Sequence, residues 1–236
     1  MPGDFRFKQF YLKQSPDVMP LSTDAILLGS WTNITNEKKI LDAGTGSGIL
    51  SLMLAQRFPR ISIFAIDSSV KAVELSRENF LNSNWKDRLS VEEIDFLNCI
   101  PESAIDHIIS NPPFFEKSLA SVNPGIREAK HISSFSPNSL LNKAPSILTS
   151  TGKISLIVEY SIGKKLLENC RESGFLPIRI TEVKSKPSKQ AQRLLIELVR
   201  SSENIATITM NTISIYDHTG KYSNEYKELS RAFYLK

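Results

Sequence analysis

Asn111-Pro112-Pro113-Phe114 is the stretch with the most specific chemistry, because it closes an apolar run, Ile105–Ser110, that reads as a buried strand. Two adjacent prolines remove two backbone donors and fix two φ angles, so the chain is stiff where the strand stops. Pro112 also pushes Asn111 out of the helical region and leaves its amide projecting past the sheet edge. A planar amide, a proline carbonyl and the Phe114 ring together match the edge and face of a planar amine or amide. An ordinary proline turn would share the Asn-Pro-Pro; the phenylalanine and a glycine-rich turn upstream make the set more specific.

That upstream turn is DAGTGSG, Asp42 to Gly48, between an apolar run and a helical pattern. There, backbone N–H groups can point at a ligand, and Gly44, Gly46 and Gly48 let it come close. The spacing lacks the third glycine position of the dinucleotide fingerprint. Asp67 ends the next apolar run, where a ribose diol would lie, and Asp95 ends the one after, with Phe96 beside it. Hydroxyl acceptors at one strand end, with an amide acceptor and an apolar face at the next, suit adenosine. Asp42 can receive a cationic amino group, directly or through water. Any one of these acids could be a strand-end cap; three at successive strand ends point to a site.

The elements that must position these residues alternate. Residues 39–43, 61–67, 89–95 and 105–110 read as buried strands, and 49–57 and the stretch capped by Ser68 or Ser69 as helices, which predicts a parallel sheet with right-handed crossovers. Residues 115–134 show no periodicity and suggest a functional loop. A helix from Ser136-Pro137 through Leu148, a strand over 153–160 and a helix over 161–173 ending at Gly174 follow. Residues 176–184 and 193–200 are joined by a connection too short for a crossover helix, so they form an antiparallel hairpin. The fold class is therefore α/β, a mostly parallel seven-stranded sheet with helices on both faces. Residues 1–236 read as one domain, with a strand or hairpin extension over 1–22 and a C-terminal appendage over 201–236. That appendage holds a strand at 212–216, a turn at 217–220 and a helix from Asn224.

Composition bounds the partners. Hydrophobic residues make up 41% and charged residues 23%, which is globular, and the net charge of +4 is too mild to require a polyanion. Two lone cysteines, Cys99 and Cys170, argue against disulfides or zinc and fit a reducing compartment. No apolar run reaches membrane-span length and the N-terminus lacks a signal-like core, so the expectation is a cytoplasmic protein without a membrane, metal or obligate protein partner. None of the three histidines reads as a base: His107 lies mid-strand, His131 in the long loop and His218 in a turn. Ser110 has no visible His/Asp partner set, so nucleophilic catalysis is not indicated.

DAGTGSG, Asp67, Asp95 and NPPF together resemble the class I, Rossmann-like methyltransferases that use S-adenosyl-L-methionine, in the group that methylates amino nitrogens. More narrowly, FRFKQFYLKQSPDVMPLSTDAILLGSW and IYDHTGKYSNEYKELSRAFYL resemble the bacterial tRNA1(Val) (adenine(37)-N6)-methyltransferase family, nearly end to end. The resemblance implies methyl transfer to the N6 amine of a tRNA adenine, with Asn111, Pro112, Pro113 and Phe114 catalytic. It implies cofactor contacts from Thr23, Asp42, Gly44, Gly46, Gly48, Asp67, Asp95, Phe96 and Asn111. RNA contact would come from Lys8, Lys13, Arg127, Lys130, Lys186 and Lys189, flanked by Arg6, Lys117, Lys184 and Arg193. Alternatives at this stage are methylation of a guanine N2 in rRNA or a glutamine N5 in protein, a dinucleotide dehydrogenase, and a non-catalytic RNA-binding protein. The glutamine enzymes carry a helical N-terminal domain for which the residues before Thr23 leave no room. The guanine enzymes usually carry a duplicated domain, absent here, and a dehydrogenase needs the longer glycine spacing.

Overall fold

A computed structural model describes residues 3–112, 135–200 and 207–235. Pro113, Phe114, Lys117, Arg127, Lys130, His131 and the 115–134 loop named above lie outside the described residues.

Two short strands, β1 (Phe5–Arg6) and β2 (Tyr11–Leu12), form an antiparallel hairpin. Ser22 then caps α1 (Thr23–Trp31) by accepting the Ala25 N–H at 3.2 Å. The βαβ run follows as β3 (Lys39–Ala43), α2 (Ile49–Arg57), β4 (Ser62–Asp67), α3 (Val70–Leu81), β5 (Leu89–Glu93) and β6 (Ile105–Ser110). After it come α4 (Pro137–Lys143), β7 (Leu148–Glu159), α5 (Tyr160–Asn169), β8 (Phe175–Lys184), β9 (Ala191–Arg200), β10 (Thr209–Ser214) and α6 (Asn224–Ser230).

The large sheet has the order β10-β8-β9-β7-β6-β3-β4-β5, with β9 antiparallel to both its neighbours. The expected mostly parallel sheet with its antiparallel hairpin is present. An eighth strand, β10, extends it by pairing parallel to β8, because the chain returns along the hairpin's free edge. Two further expectations are corrected. The α4 helix stops at Lys143 rather than Leu148, since Pro145 belongs to a 3-10 turn that hands the chain to the sheet. β7 therefore begins at Leu148, with a register shift against β6 where the turn enters.

Apolar clusters cover both faces. One joins α1, α2 and α3 with the N-terminal Phe7 and Phe10 and with Tyr226 and Phe233 near the C-terminus. The other packs α4 and α5 against Leu41, Ile66, Ile108 and Leu156. Burial on both faces is why the parallel strands read as continuous apolar runs. Among the described residues, no helix is long and apolar enough to cross a membrane.

Candidate active site

β3, β4 and β6 end side by side, and the chain beyond each contributes to one cavity of about 250 Å³. Its lining includes Gly44, Gly46, Asp67, Asp95, Phe96 and Asn111, so six residues picked from the sequence converge. A smaller recess shares Gly44, Gly46 and Asn111 and is bordered by Met19, Ser22 and Ala25. Asn111 thus stands where the two recesses meet.

The glycine turn works differently from the sequence expectation. Gly44 and Thr45 donate their N–H groups to the Ile66 carbonyl at 2.9 and 3.0 Å, Gly46 donates to Asp67 Oδ2 at 3.0 Å, and Gly48 donates to the Thr45 carbonyl at 2.9 Å. These four donors are spent on folding the turn onto β4, so they do not point at a ligand. An anionic pyrophosphate would need them free; an uncharged nucleoside needs only the bare glycine surface. Gly44, at φ +74°, supplies that surface: a Cβ there would meet the Phe135 ring at 3.1 Å. Gly48 does not line the cavity. It sits under Phe80, whose ring a Cβ would meet at 2.5 Å, so it is a packing glycine at the start of α2.

Asp67 keeps capacity for ligand hydroxyls. Oδ2 accepts from Gly46 and Oδ1 accepts from Ser69 at 2.9 Å, which orients the carboxylate while further lone pairs face the cavity. Asp95 caps a 3-10 turn at Phe96–Asn98 through Oδ1, which accepts the Leu97 N–H at 2.8 Å. Phe96 is buried beside it and tilts against Phe135 with ring centroids 5.0 Å apart, making an aromatic wall.

Asp42 and Thr23 border neither recess. Asp42 is fully buried beneath the turn, where Oδ2 accepts from Thr45 Oγ1 at 2.8 Å and from Ser51 Oγ at 2.6 Å. Burial pushes its carboxyl up to about 6, against the lowering effect of those hydrogen bonds. It braces the turn and does not border either recess. Thr23 is the exposed first residue of α1 and borders neither recess, because the hydroxyl turned toward the helix end is that of Ser22.

Asn111 carries the sharpest feature. Its Oδ1 is buried and has no hydrogen-bond partner among the described residues. Such an orphan acceptor costs about 1–3 kcal/mol unless something donates to it. Pro112, next to it, is buried. His107 is a core residue, bonded through Nε2 to Ser155 Oγ at 2.9 Å, and Ser110 donates to the Ala43 carbonyl at 2.8 Å; neither reaches the cavity.

The expected RNA lysines divide. Lys13 is paired with Glu78 at 2.7 Å and Lys8 donates to the Arg231 carbonyl, so both are engaged within the chain. Lys186 and Lys189 lie at the β8–β9 tip and form no ion pair among the described residues. The tip rises past the level at which β6 ends, with β10 paired beside β8 as far as Lys184. Ser110 pairs with Leu156, Leu156 with Ile196 and Ile196 with Ile180, so Lys184 lies four residues past the level of Ser110. That is about 13 Å at strand rise. The sequence reading missed Asp17, Val18 and Met19, which line the larger cavity. The available signal was Pro16 and Pro20 bracketing an aperiodic stretch before a helix cap.

This sheet, and the nucleoside-shaped recess meeting an asparagine corner at its rim, define a class I S-adenosylmethionine-dependent methyltransferase. The fold matches the crystal structure of a predicted O-methyltransferase from Agrobacterium tumefaciens with a TM-score of 0.70, at 21% identity over 89% of this chain and 96% of that one. The pattern of the methyltransferase small domain matches residues 22–171. The tRNA1(Val) (adenine(37)-N6)-methyltransferase of Aliivibrio fischeri is 38% identical over 100% of this chain and 99% of its own length. The enzyme of the same name from Vibrio campbellii is 37% identical over 98% and 95%. The chain belongs to the methyltransferase small domain family and, within it, to the family of these full-length relatives.

Proposed function

We propose that this protein methylates the exocyclic N6 amine of adenine 37 in tRNA1(Val), the reaction named for the relatives that match its whole length. The observation that supports this reading is the buried, unpartnered Asn111 Oδ1 at the junction of the two recesses.

An adenine amine is a poor nucleophile because its lone pair is delocalised into the ring. Asn111 Oδ1 and the Pro112 carbonyl accept its two N–H groups, which favours a pyramidal nitrogen and stabilises the positive charge it gains on transfer. S-adenosylmethionine, when bound, supplies an electrophilic methyl group. The chain's own contribution is placement: Asp67 receives the ribose hydroxyls, Asp95 and Phe96 hold the cofactor's adenine, and the corner holds the amine in line. The resemblance assigns Pro113 and Phe114 to the same motif, and the target base must leave its loop to enter. Lys184, Lys186 and Lys189 hold phosphates of the anticodon arm, about three strand spacings, roughly 14 Å, sideways across the sheet from the corner and beyond its level. A tRNA substrate makes the enzyme cytoplasmic.

The test uses purified protein, S-adenosylmethionine and tRNA1(Val) transcripts with adenine or guanine at position 37. Mass spectrometry of nuclease digests should find N6-methyladenosine only with the adenine transcript. Absence of methyl transfer to adenine 37 would refute the proposal.

A further inference from the structure

Residues 13–22 lie across the mouth of the cofactor recess without secondary structure of their own. Asp17, Val18 and Met19 line the larger cavity, and Met19 also borders the smaller one. This strap is held by a few side chains. Gln14 Oε1 accepts the Leu21 N–H at 2.8 Å and closes the loop on itself. Val18 is buried with Ala72 and Leu75 of α3.

The third fixing is Asn79, on α3 and 2% exposed. Its Oδ1 accepts the Lys13 N–H at 2.9 Å, and its Nδ2 donates to the Lys13 carbonyl at 3.1 Å and to the Ser47 carbonyl at 2.8 Å. One amide thereby spends its acceptor and both donors on backbone of the strap and of the glycine turn, the two walls of the recess. Asparagine is a weak helix former, and an apolar residue would suit a buried helix position better on packing grounds alone. An aspartate would set a carboxylate against two carbonyl oxygens. A leucine would leave three backbone groups without these partners, the Ser47 carbonyl among them buried.

We infer that Asn79 is a positioning residue for cofactor binding: it locks the strap to the glycine turn so that the recess exists before the cofactor arrives. Pre-formed walls spare the cofactor the ordering entropy of a ten-residue strap. The inference rests on the methyltransferase reading, since it concerns the same recess.

The test is calorimetric binding of S-adenosylmethionine and S-adenosylhomocysteine to the full chain, with steady-state kinetics on tRNA. Asn79→Ala should weaken cofactor binding about tenfold or more and raise its KM, with tRNA KM and kcat within about twofold of the unmodified enzyme. Glu78→Gln breaks the neighbouring ion pair to Lys13 but keeps every Asn79 bond, and should leave cofactor affinity unchanged. Hydrogen exchange on the unmodified protein, which does not depend on the variant folding, should show the amides of residues 13–22 already protected without cofactor. Wild-type affinity in Asn79→Ala, parallel loss of cofactor and tRNA affinity, or unprotected strap amides would each overturn the inference. Failure of the unmodified protein to bind either cofactor form would instead sink the methyltransferase reading, and this inference with it.

Discussion

The two halves of the sheet reach the same rim and equip it with opposite chemistry. On β3, β4, β5 and β6, all parallel, the rim ends in oxygen acceptors: Asp67, Asp95 and the orphan Asn111 Oδ1. On β8 and β9 the chain overshoots that level and ends in Lys184, Lys186 and Lys189, with no acid between residues 184 and 190. Acceptors sort hydroxyls and amines; cations sort phosphates. The halves are also held differently. The parallel half rests on apolar crossovers. The outer half is tied by Lys153–Glu37 at 2.6 Å, Arg179–Glu197 at 2.8 Å, Arg179 over the Trp31 ring at 3.6 Å and Arg193–Asp24 at 2.9 Å. Under the proposed function one half would read a nucleoside by short hydrogen bonds and the other a polymer by charge, so each should fail in its own way.

The largest effect belongs to the corner. Asn111→Ala should lower kcat by about 10³-fold, the scale for removing a preorganised polar group. Cofactor affinity should stay within a few fold, because Asp67, Asp95 and Phe96 of the recess lining are unchanged. A variant that keeps full turnover in single-turnover assays would break the comparison at its centre. Next, Asp67→Ala should raise the S-adenosylmethionine Kd by roughly 10–100-fold, the equivalent of about one charged hydrogen bond to a hydroxyl, while tRNA KM holds. Calorimetry beside tRNA kinetics reads both.

The outer half should respond to salt instead. Replacing Lys184, Lys186 and Lys189 with alanine should raise tRNA KM. It should also flatten the slope of log affinity against log salt by about 2–3, at roughly 0.7–0.9 for each phosphate no longer neutralised. An unchanged slope in filter-binding titrations would remove the hairpin from the interface.

The smallest effects are on stability. Burial holds the His107 imidazole well below its ordinary range, so the folded chain keeps it neutral while the unfolded chain takes a proton near pH 6.5. Stability from this group is therefore present above about pH 6.5 and is lost as pH falls below it. Asp42 has the opposite sign. Its carboxyl titrates at about 6 when folded and near 3.9 when unfolded, so protonation adds stability as pH drops through that window, by at most roughly 3 kcal/mol. Thermal unfolding at pH 7.5 and 5.0 should show a shallower acid loss in His107→Gln than in the unmodified protein, and a steeper one in Asp42→Asn.

Legibility followed distance along the chain. β3, α2 and β6 were readable to the residue because their signals are local: apolar runs, a glycine turn and a proline stop. The three acids were readable as a set, but their division of labour was not. Asp67 and Asp95 border the cavity while Asp42 lies beneath it, a distinction that depends on Thr45 and Ser51 folding over its carboxylate. Lys13 and Lys8 match the hairpin lysines in sequence, yet Glu78 and the Arg231 carbonyl, far away along the chain, hold them.

The strand-helix alternation, the glycine turn and the stiff Asn-Pro corner are written in neighbouring residues, because backbone dihedrals and apolar periodicity act over a few positions. Which polar groups were left unsatisfied at the rim, which lysines stayed unpaired and how the strap came to roof the recess were decided by packing. A donor's partner is whatever lies within about 3 Å of it, and only the folded chain brings residues 13, 47 and 79 that close.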